Sequence, residues 1–197
     1  MILHKLRELV RGLYEAKNVN RSDWADWMYQ NHIFVVADYA RELSDTLRAQ
    51  KDIAVAAALL HDIADAVMKR EDKNHGRKSL EIAKRFLQEA EFSKKEIEII
   101  TKDILPRHGC HNGECPKSLE GKIMATADAL AHLKTDFYKF AKQEFLKSGV
   151  GLDKYYKWML PKVKRDFEQK ICFDKLRTEV GEKYRDLVRE AIEYMDK

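Results

Sequence analysis

The stretch IAVAAALLHDIADAV, residues 53–67, decides the fold. Its first eight residues are all apolar, which is typical of a helix that is buried on every side at the centre of a protein. His61 and Asp62 follow in the middle of this run. A buried carboxylate without a partner costs several kcal/mol or is neutralised by protonation, so a cation is expected beside Asp62. That cation could be an Arg or Lys side chain or a metal ion.

Two further apolar helices carry a polar residue on the side that faces the core. In DWADWMYQNHIFVVADYARELSDTL, residues 23–47, His32 follows Met28 by four positions and therefore falls on the apolar stripe. Taken alone, a core histidine that is satisfied by one hydrogen bond is the simpler interpretation. In GKIMATADALAHL, residues 121–133, Asp128 stands among small apolar residues. The same pattern thus occurs in three separate helices.

One divalent cation would satisfy all of these groups together. Two neutral imidazoles, from His32 and His61, and two carboxylates, from Asp62 and Asp128, balance a charge of 2+. Mixed nitrogen and oxygen ligands suit Mn, Fe, Co, Ni or Zn better than Ca. The expected cofactor is therefore a divalent transition metal. His132, one turn after Asp128, is expected to support the site or lie at the surface rather than to ligate the ion.

The remaining sequence predicts an all-α protein of one domain, residues 1–197. The 197 residues include only 8 Gly and 3 Pro, and no segment shows the alternation of a β-strand. Ser93 and Glu96 fit a capping box at the start of a helix. Apolar periodicity predicts helices near residues 2–16, 23–49, 52–68, 76–90, 94–105, 117–147, 152–171 and 174–195.

Composition and charge exclude several functional classes. The N-terminal residues are typical of an amphipathic helix rather than a signal peptide, and no run approaches the ~20 apolar residues that cross a bilayer, so no membrane partner is expected. Three cysteines are too few, and odd in number, for a secreted disulfide framework, which predicts a cytoplasmic location. The net charge of +4 is balanced along the helices and does not indicate a nucleic-acid partner. PKVKRDFEQK, residues 161–170, is interpreted as an exposed helix face.

The order of the buried polar residues resembles a known family. His32, then the doublet His61-Asp62 within ALLHDIAD, then Asp128 within ATADAL, resemble the H…HD…D motif of the HD superfamily of metal-dependent phosphohydrolases. The resemblance implies an HD-domain-like helical bundle in which these four residues ligate a metal ion.

The resemblance covers about residues 20–135 and leaves a C-terminal helical extension of about residues 136–197. It implies hydrolysis of a small phosphate ester by metal-activated water, with a nucleotide first among the expected substrates. The sequence does not predict the oligomeric state.

Two more histidines extend the resemblance. His75 and His108 fall where two-metal members of the superfamily place additional ligands. If both reach the site, a second ion could be bridged to the first through Asp62 at about 3.5–4 Å. The alternative is that both are surface histidines. Asp65, one turn after His61, could orient a water or act as an acid or base, or be a simple polar residue. Asp62, Asp65 and His108 are the candidates for a direct catalytic role.

A phosphate substrate also needs cations near the metal. Arg77, Lys78 and Arg107 flank the two additional histidines and are the candidates for substrate binding. Arg107 is preferred, because a guanidinium offers two parallel donors to phosphate oxygens. For each of them, a solvated surface position is the alternative.

Three functions remain open from the sequence. The first is a phosphohydrolase acting on a small phosphate ester. The second is a di-iron oxygenase of the same superfamily, which requires two metals and hence both His75 and His108. The third is a non-catalytic regulatory or binding module in which the metal has a structural role.

The loop ILPRHGCHNGECPKS, residues 104–118, places Cys110, His111 and Cys115 close to His108. Thiolate and imidazole are the ligands that zinc prefers, but a closed zinc site needs four ligands and this loop has a fourth only if His108 is diverted to it. We therefore expect His108 to face the metal site and the two cysteines to be reduced and to ligate nothing. An independent zinc site in the loop is the alternative.

Overall fold

The computed structural model describes residues 1–196, which form helices and connecting loops and contain no β-strand. The all-α prediction is confirmed. Within these residues, no helix is both long enough and apolar enough to cross a membrane. The α-helices are α1 (Ile2–Glu15), α2 (Ala25–Met28), α3 (Phe34–Leu47), α4 (Lys51–Leu60), α5 (His75–Glu89), α6 (Lys94–Glu98), α7 (Leu105–Arg107), α8 (Leu119–Lys134), α9 (Phe137–Lys147), α10 (Leu152–Arg165) and α11 (Asp174–Met195).

Several of these helices are joined or extended by turns of other pitch. The π-helical segment Tyr29–Ile33 joins α2 to α3, Ile99–Ile104 joins α6 to α7, and Asp166–Lys170 extends α10. Short 3-10 segments occur at Ile63–Ala66 and His111–Gly113. A π turn is wider than an α turn and shifts the following side chains around the axis, and such turns are frequent at functional sites.

Helix α4 is the centre of the first of two apolar cores. Every residue from Ile53 to Leu60 is buried, as the continuous apolar run predicts. Helices α3 and α8 pack against α4 and against each other, and α1 also contacts α4. The polar residues that follow Leu60 therefore begin in the interior of the protein.

Helix α8 joins this core to the second one. Every residue from Ile123 to Leu133 is buried. Met124 and Ala127 pack in the first core, whereas Leu130 belongs to the second, which α9, α10 and α11 complete. Asp128 thus lies where the two cores meet.

Two predicted helices end earlier than their periodicity indicates. The prediction of a helix over residues 52–68 is wrong beyond Leu60, because the chain bends at Asp62, whose carbonyl accepts from the Tyr14 hydroxyl at 3.1 Å. The helix predicted over residues 117–147 begins at Leu119 and is divided at Thr135, which is extended and whose hydroxyl donates to a carbonyl one turn earlier. Side-chain hydrogen bonds of this kind compete with the helical backbone. By contrast, the capping box at the start of α6 is confirmed.

Candidate metal centre

His32 reaches the core through the π-helical segment Tyr29–Ile33. Its side chain is fully buried, with Nε2 3.1 Å from Asp128 Oδ1 and 3.2 Å from His61 Nε2. The ring stacks on His132 at a centroid distance of 4.9 Å, which fixes its plane. Within residues 1–196, Nδ1 has no hydrogen-bond partner.

His61 is presented by the end of α4. Because the helix ends at Leu60, the Nδ1–H of His61 donates to the Ala58 carbonyl at 2.7 Å. This bond places the lone pair on Nε2, which faces His32 and Asp128. Metal-ligating histidines usually hold their other ring N–H in such a bond. The imidazole is therefore oriented as a ligand.

Asp128 uses its two carboxylate oxygens differently. Oδ2 accepts from the ammonium group of Lys170. Oδ1 lies 3.1 Å from His32 Nε2, 3.7 Å from His61 Nε2 and 3.3 Å from His132 Nε2, yet it has no hydrogen-bond partner within residues 1–196. Burial alone would raise the pKa of Asp128, but His132 and Lys170 together hold that pKa well below its usual range. An ionised oxygen left unsatisfied among imidazole nitrogens is a position that a cation would stabilise.

These three residues are close enough together to hold one metal ion. One ligand atom from each of His32, His61 and Asp128 lies within 4.8 Å of the others, and all three side chains are buried. Asp62 stands at the edge of this cluster, with Oδ2 3.6 Å from His61 Nε2. That oxygen also accepts from the Arg70 guanidinium at 2.7 Å. The structure thus brings the four predicted ligands together, with Asp62 already paired to a cation.

Arg70 connects the cluster to a second polar group. Its guanidinium contacts Asp65 as well as Asp62, and His75 Nε2 lies 2.9 Å from Asp65 Oδ1. Burial would raise the pKa of Asp62, but Arg70 and His61 hold it well below its usual range. Within residues 1–196, Asp65 makes no hydrogen bond to His61, because the helix that would align these two positions ends at Leu60. His75 is bonded to Asp65 and does not join the three-residue cluster.

His108 lies beside the cluster, at the end of α7. Its ring centroid is 5.6 Å from that of His61, and its Nδ1–H donates to the Leu105 carbonyl at 2.7 Å, which leaves Nε2 free. Burial, assisted by the proximity of His61, lowers the pKa of His108 to about 4. The ring is therefore neutral at pH 7.

The cluster opens into a cavity of about 760 Å³. His61, Asp62, Asp128, His75 and His108 line one side of it. Aromatic side chains and four cations also line the cavity. The aromatic residues are Trp24, Phe137, Phe145 and Trp158, and the cations are Arg70, Lys162, Arg165 and Lys170.

The three cations that the sequence suggested do not line this cavity. Arg107 donates to the Lys102 carbonyl at 2.7 Å. Lys78 pairs with Glu81 at 2.7 Å, and Arg77 is exposed. Their proximity to His75 and His108 in sequence does not become proximity of the charged groups, because neighbouring positions on a helix point in different directions.

The interpretation of residues 161–170 as an exposed helix face is wrong. Asp166 is fully buried, and its Oδ2 accepts from His132 Nδ1 at 3.0 Å and from the Tyr138 hydroxyl at 2.8 Å. Lys170 is 2% exposed and its ammonium lies 3.3 Å from Asp166 Oδ1. Lys162 lies 3.5 Å from Asp166 Oδ2. These residues form an internal ion network that ends on Asp128.

A signal for this network was present in the sequence. Tyr155, Met159 and Val163 form the buried stripe of α10, and Asp166 and Lys170 continue it at helical spacing. This is the pattern that identified His32, a polar residue on an apolar stripe.

The cysteine loop differs from its prediction in one respect. The structure joins Cys110 and Cys115 in a disulfide, so the expectation of reduced thiols is not met. A disulfide sulfur is not a zinc ligand, so the paired cysteines are not available to a metal ion. Both sulfurs lie against the Gln169 carbonyl, which places the loop beside the ion network.

Comparisons with known proteins agree with this site. The HD domain family model matches residues 29–133, more than half of the chain and a segment that contains all of the predicted ligands. A "Deoxyguanosinetriphosphate triphosphohydrolase-like protein" of Desulfatibacillum aliphaticivorans is 26% identical over 180 residues, which are 82% of this chain and 45% of that protein. The chain thus spans less than half of the length of this relative. No solved structure matches the chain significantly. From the family match and the residues it covers, the chain belongs to the HD domain family.

Proposed function

We propose that this protein is a metal-dependent phosphohydrolase that cleaves a phosphate ester of a nucleotide. The observation that carries the proposal is the Asp128 Oδ1 atom, which is ionised, buried and unpartnered among imidazole nitrogens. His32, His61 and Asp128 would hold one ion, with Asp62 as a fourth ligand when Arg70 releases it. Two imidazoles with carboxylates favour Mn, Fe, Co, Ni or Zn.

The bound ion would lower the pKa of a coordinated water to about 7 and polarise the phosphoryl oxygen. The surrounding residues have defined tasks in this proposal. His108, neutral at pH 7 and with Nε2 free, accepts a hydrogen bond from a water or substrate hydroxyl. Asp65 holds Arg70 and His75 in place. Arg70, released from Asp62, contacts a phosphate oxygen.

A nucleotide substrate is supported by two observations. The relative of Desulfatibacillum aliphaticivorans is named for the hydrolysis of a nucleoside triphosphate. The cavity also combines cations with an aromatic wall, which suits a phosphate and a base on the same ligand.

The geometry favours one metal ion over two. A second ion would use Asp62, His75 and His108, but Arg70 already pairs with Asp62 and His75 is bonded to Asp65. Within residues 1–196, His32, His61 and Asp128 form the one cluster with metal-ligand spacing. No contact supports the two-iron oxygenase, and the open, cation-lined cavity argues against a purely structural metal.

The test is the metal content of purified protein together with hydrolysis of a panel of nucleoside mono-, di- and triphosphates. We expect one transition-metal ion per chain and release of a phosphate product. Asp128→Asn should lose the metal and at least about a hundredfold of the activity, since altering even an outer partner of a ligand costs 10–100-fold. Asp45→Asn, an exposed carboxylate paired with Lys51, is the matched control.

Three outcomes would overturn the proposal. The first is a protein that binds no metal when supplied with each candidate ion. The second is an Asp128→Asn variant with unchanged metal content and activity. The third is two irons per chain with oxygen consumption and no phosphatase activity, which would favour the oxygenase.

A further inference from the structure

Helix α10 and the π turn that follows it form a wall of the cavity that lies outside the residues matched by the family model. Lys162, Arg165 and Lys170 line the cavity from this wall. The family match therefore covers the proposed metal ligands but not these cations.

Two of these three cations are already engaged. Lys170 contacts Asp128 and Asp166, and Lys162 lies 3.5 Å from Asp166 and 3.3 Å from His132 Nδ1. Their charges are balanced by the two aspartates.

Arg165 differs from both lysines. Within residues 1–196, no carboxylate lies within 4.0 Å of its guanidinium, and it makes no hydrogen bond. Its Nε atom is nonetheless buried, which leaves a buried donor without an acceptor. An unsatisfied buried donor on a charged group is costly, so its retention indicates a ligand that supplies the acceptor.

The carboxylates that line the cavity do not supply it. Each of the partly or fully buried ones has its own cation, and Glu71 is exposed. The pairs are Asp62 with Arg70, Asp128 with Lys170 and Glu144 with Lys147, and the exposed Asp23 pairs with Lys69. The side of the cavity near Arg165 is positive enough that Arg165, Lys170 and Lys162, after burial, lower the pKa of His111 in the adjacent loop.

The position of these cations relative to the metal ligands follows from a chain of contacts. His132 Nε2 is 3.3 Å from Asp128 Oδ1, and Lys162 is 3.3 Å from the other nitrogen of the same ring. Lys162 is thus separated from the metal cluster by one imidazole, and Arg165 lies one turn further along the helix.

We propose that Arg165, with Lys162 beside it, binds a second phosphate group of the substrate, so that the substrate is a nucleoside di- or triphosphate rather than a monophosphate. This inference rests on the proposed function, because the metal centre is taken to hold the first phosphate. A guanidinium offers two parallel N–H donors to the oxygens of one phosphate, and Nε–H is one of the five donors of that fork. The ligand would thereby satisfy the buried Nε.

The test is a calorimetric titration of the metal-loaded protein with imidodiphosphate, which resists hydrolysis, and with orthophosphate. We expect the wild type to bind imidodiphosphate more tightly than orthophosphate. Arg165→Gln should weaken imidodiphosphate binding by about tenfold, equal to 1.4 kcal/mol, and leave orthophosphate binding unchanged. Lys164→Gln removes the same charge from an exposed neighbouring position and should change neither affinity.

The outcomes separate this proposal from the proposed function. Equal binding of both anions by the wild type, or equal losses in Arg165→Gln and Lys164→Gln, would overturn the second phosphate site. Binding is measured without turnover, so a protein that shows the expected Arg165 dependence but hydrolyses no nucleotide refutes only the proposed activity. Metal content is measured after each titration to show whether imidodiphosphate has removed the ion. If all variants lose the same amount of metal and the binding does not depend on Arg165, that result also counts against the second phosphate site.

Discussion

The two walls of the cavity carry buried charge in different ways. On the wall from α3, α4 and α8, His61 follows a run of eight apolar residues and Asp128 stands between two alanines. On the wall from α10 and its π turn, Asp166 and Lys170 are buried within a segment of which six of ten residues are charged. Within residues 1–196, Asp128 Oδ1 and Asp166 Oδ1 both lack a hydrogen bond, but Asp128 Oδ1 faces imidazole nitrogens, whereas Asp166 Oδ1 lies 3.3 Å from the Lys170 ammonium.

This difference indicates what each wall is adapted to bind. The Asp128 oxygen that faces imidazoles, Oδ1, needs a cation from outside the chain. The ion network of the second wall contains more cations than anions. Its two lysines neutralise Asp166, and the guanidinium of Arg165 remains to bind an anion from outside the chain. The first wall is thus suited to a metal and the second to phosphate.

The largest effect is expected from removing the carboxylate of the second wall. Asp166→Ala would leave the ammonium groups of Lys162 and Lys170 without their shared partner, and the Tyr138 hydroxyl and His132 without their acceptor. Breaking a buried ion pair in this way costs about 3–5 kcal/mol. Urea unfolding at pH 7 measures the loss. Glu182→Ala, at an exposed position on α11, should change the unfolding free energy by less than about 0.5 kcal/mol.

If Asp166→Ala were as stable as Glu182→Ala, the ion network would not be an internal structural element. The two walls would then not differ in the way described, and residues 161–170 would behave as the exposed face that their composition suggests.

A smaller effect is expected from adding metal to the first wall. At a free metal concentration of 100 times the Kd, a ligand that binds only the folded state stabilises it by about 2.7 kcal/mol. Thermal unfolding with and without each transition metal should show this gain for the wild type. The gain should disappear in His32→Gln, which removes a buried ligand, and persist in His4→Gln, which alters an exposed histidine of α1. If metal stabilised both variants equally, His32 would not be a ligand of the ion.

The pH dependence of the metal-free protein tests the junction of the two walls. His132 lies between Asp128 and Asp166, whose charges are matched by Lys170 and Lys162, so burial dominates and lowers its pKa to about 3. A histidine with a lowered pKa binds protons more readily in the unfolded state, so its stabilising contribution is complete above pH 6.5 and is lost as the pH falls towards 3. Between pH 7.5 and 5 this contribution amounts to about 2 kcal/mol.

The measurement is the unfolding free energy against pH for the wild type and for His132→Gln, both with chelator. The variant loses a hydrogen bond and should be less stable at pH 7.5, but its decline between pH 7.5 and 5 should be shallower by about 2 kcal/mol. Parallel curves would show that His132 is not buried as a neutral ring. Asp128 and Asp166, whose pKa values lie below the usual range, act in a different window, because their contribution is lost only below about pH 4.

The residues of the first wall were predicted from the sequence, whereas those of the second were missed, for a physical reason. His32, His61 and Asp128 are conspicuous because a buried polar residue is rare and costs free energy unless it has a partner. Arg70 was missed because its partners Asp62 and Asp65 become available only when the helix ends at Leu60, and that end depends on the tertiary hydrogen bond from Tyr14.

The buried charges of α10 and its π turn were missed because the sequence does not distinguish a buried lysine from an exposed one. The register of the stripe from Tyr155 to Val163 would have marked Asp166 and Lys170 as buried. No sequence pattern, however, distinguishes Arg165, which lines the cavity, from Lys164, which is exposed. That distinction depends on how α10 packs against α9 and α11.

The smallest effect is expected at Arg107, the cation that the sequence favoured. Its guanidinium donates to the Lys102 carbonyl and lies 3.5 Å from Asp103 Oδ1, at a partly exposed position outside the cavity. Arg107→Gln should therefore change the unfolding free energy by less than about 1 kcal/mol, the range of exposed ion pairs, and leave orthophosphate affinity unchanged in the titration used for Arg165. A tenfold weaker binding of orthophosphate in Arg107→Gln would mean that the guanidinium turns towards the metal when an anion is present. The loop of residues 104–118 would then contribute to phosphate binding, and the separation of a metal wall from a phosphate wall would no longer hold, because the segment matched by the family would supply both.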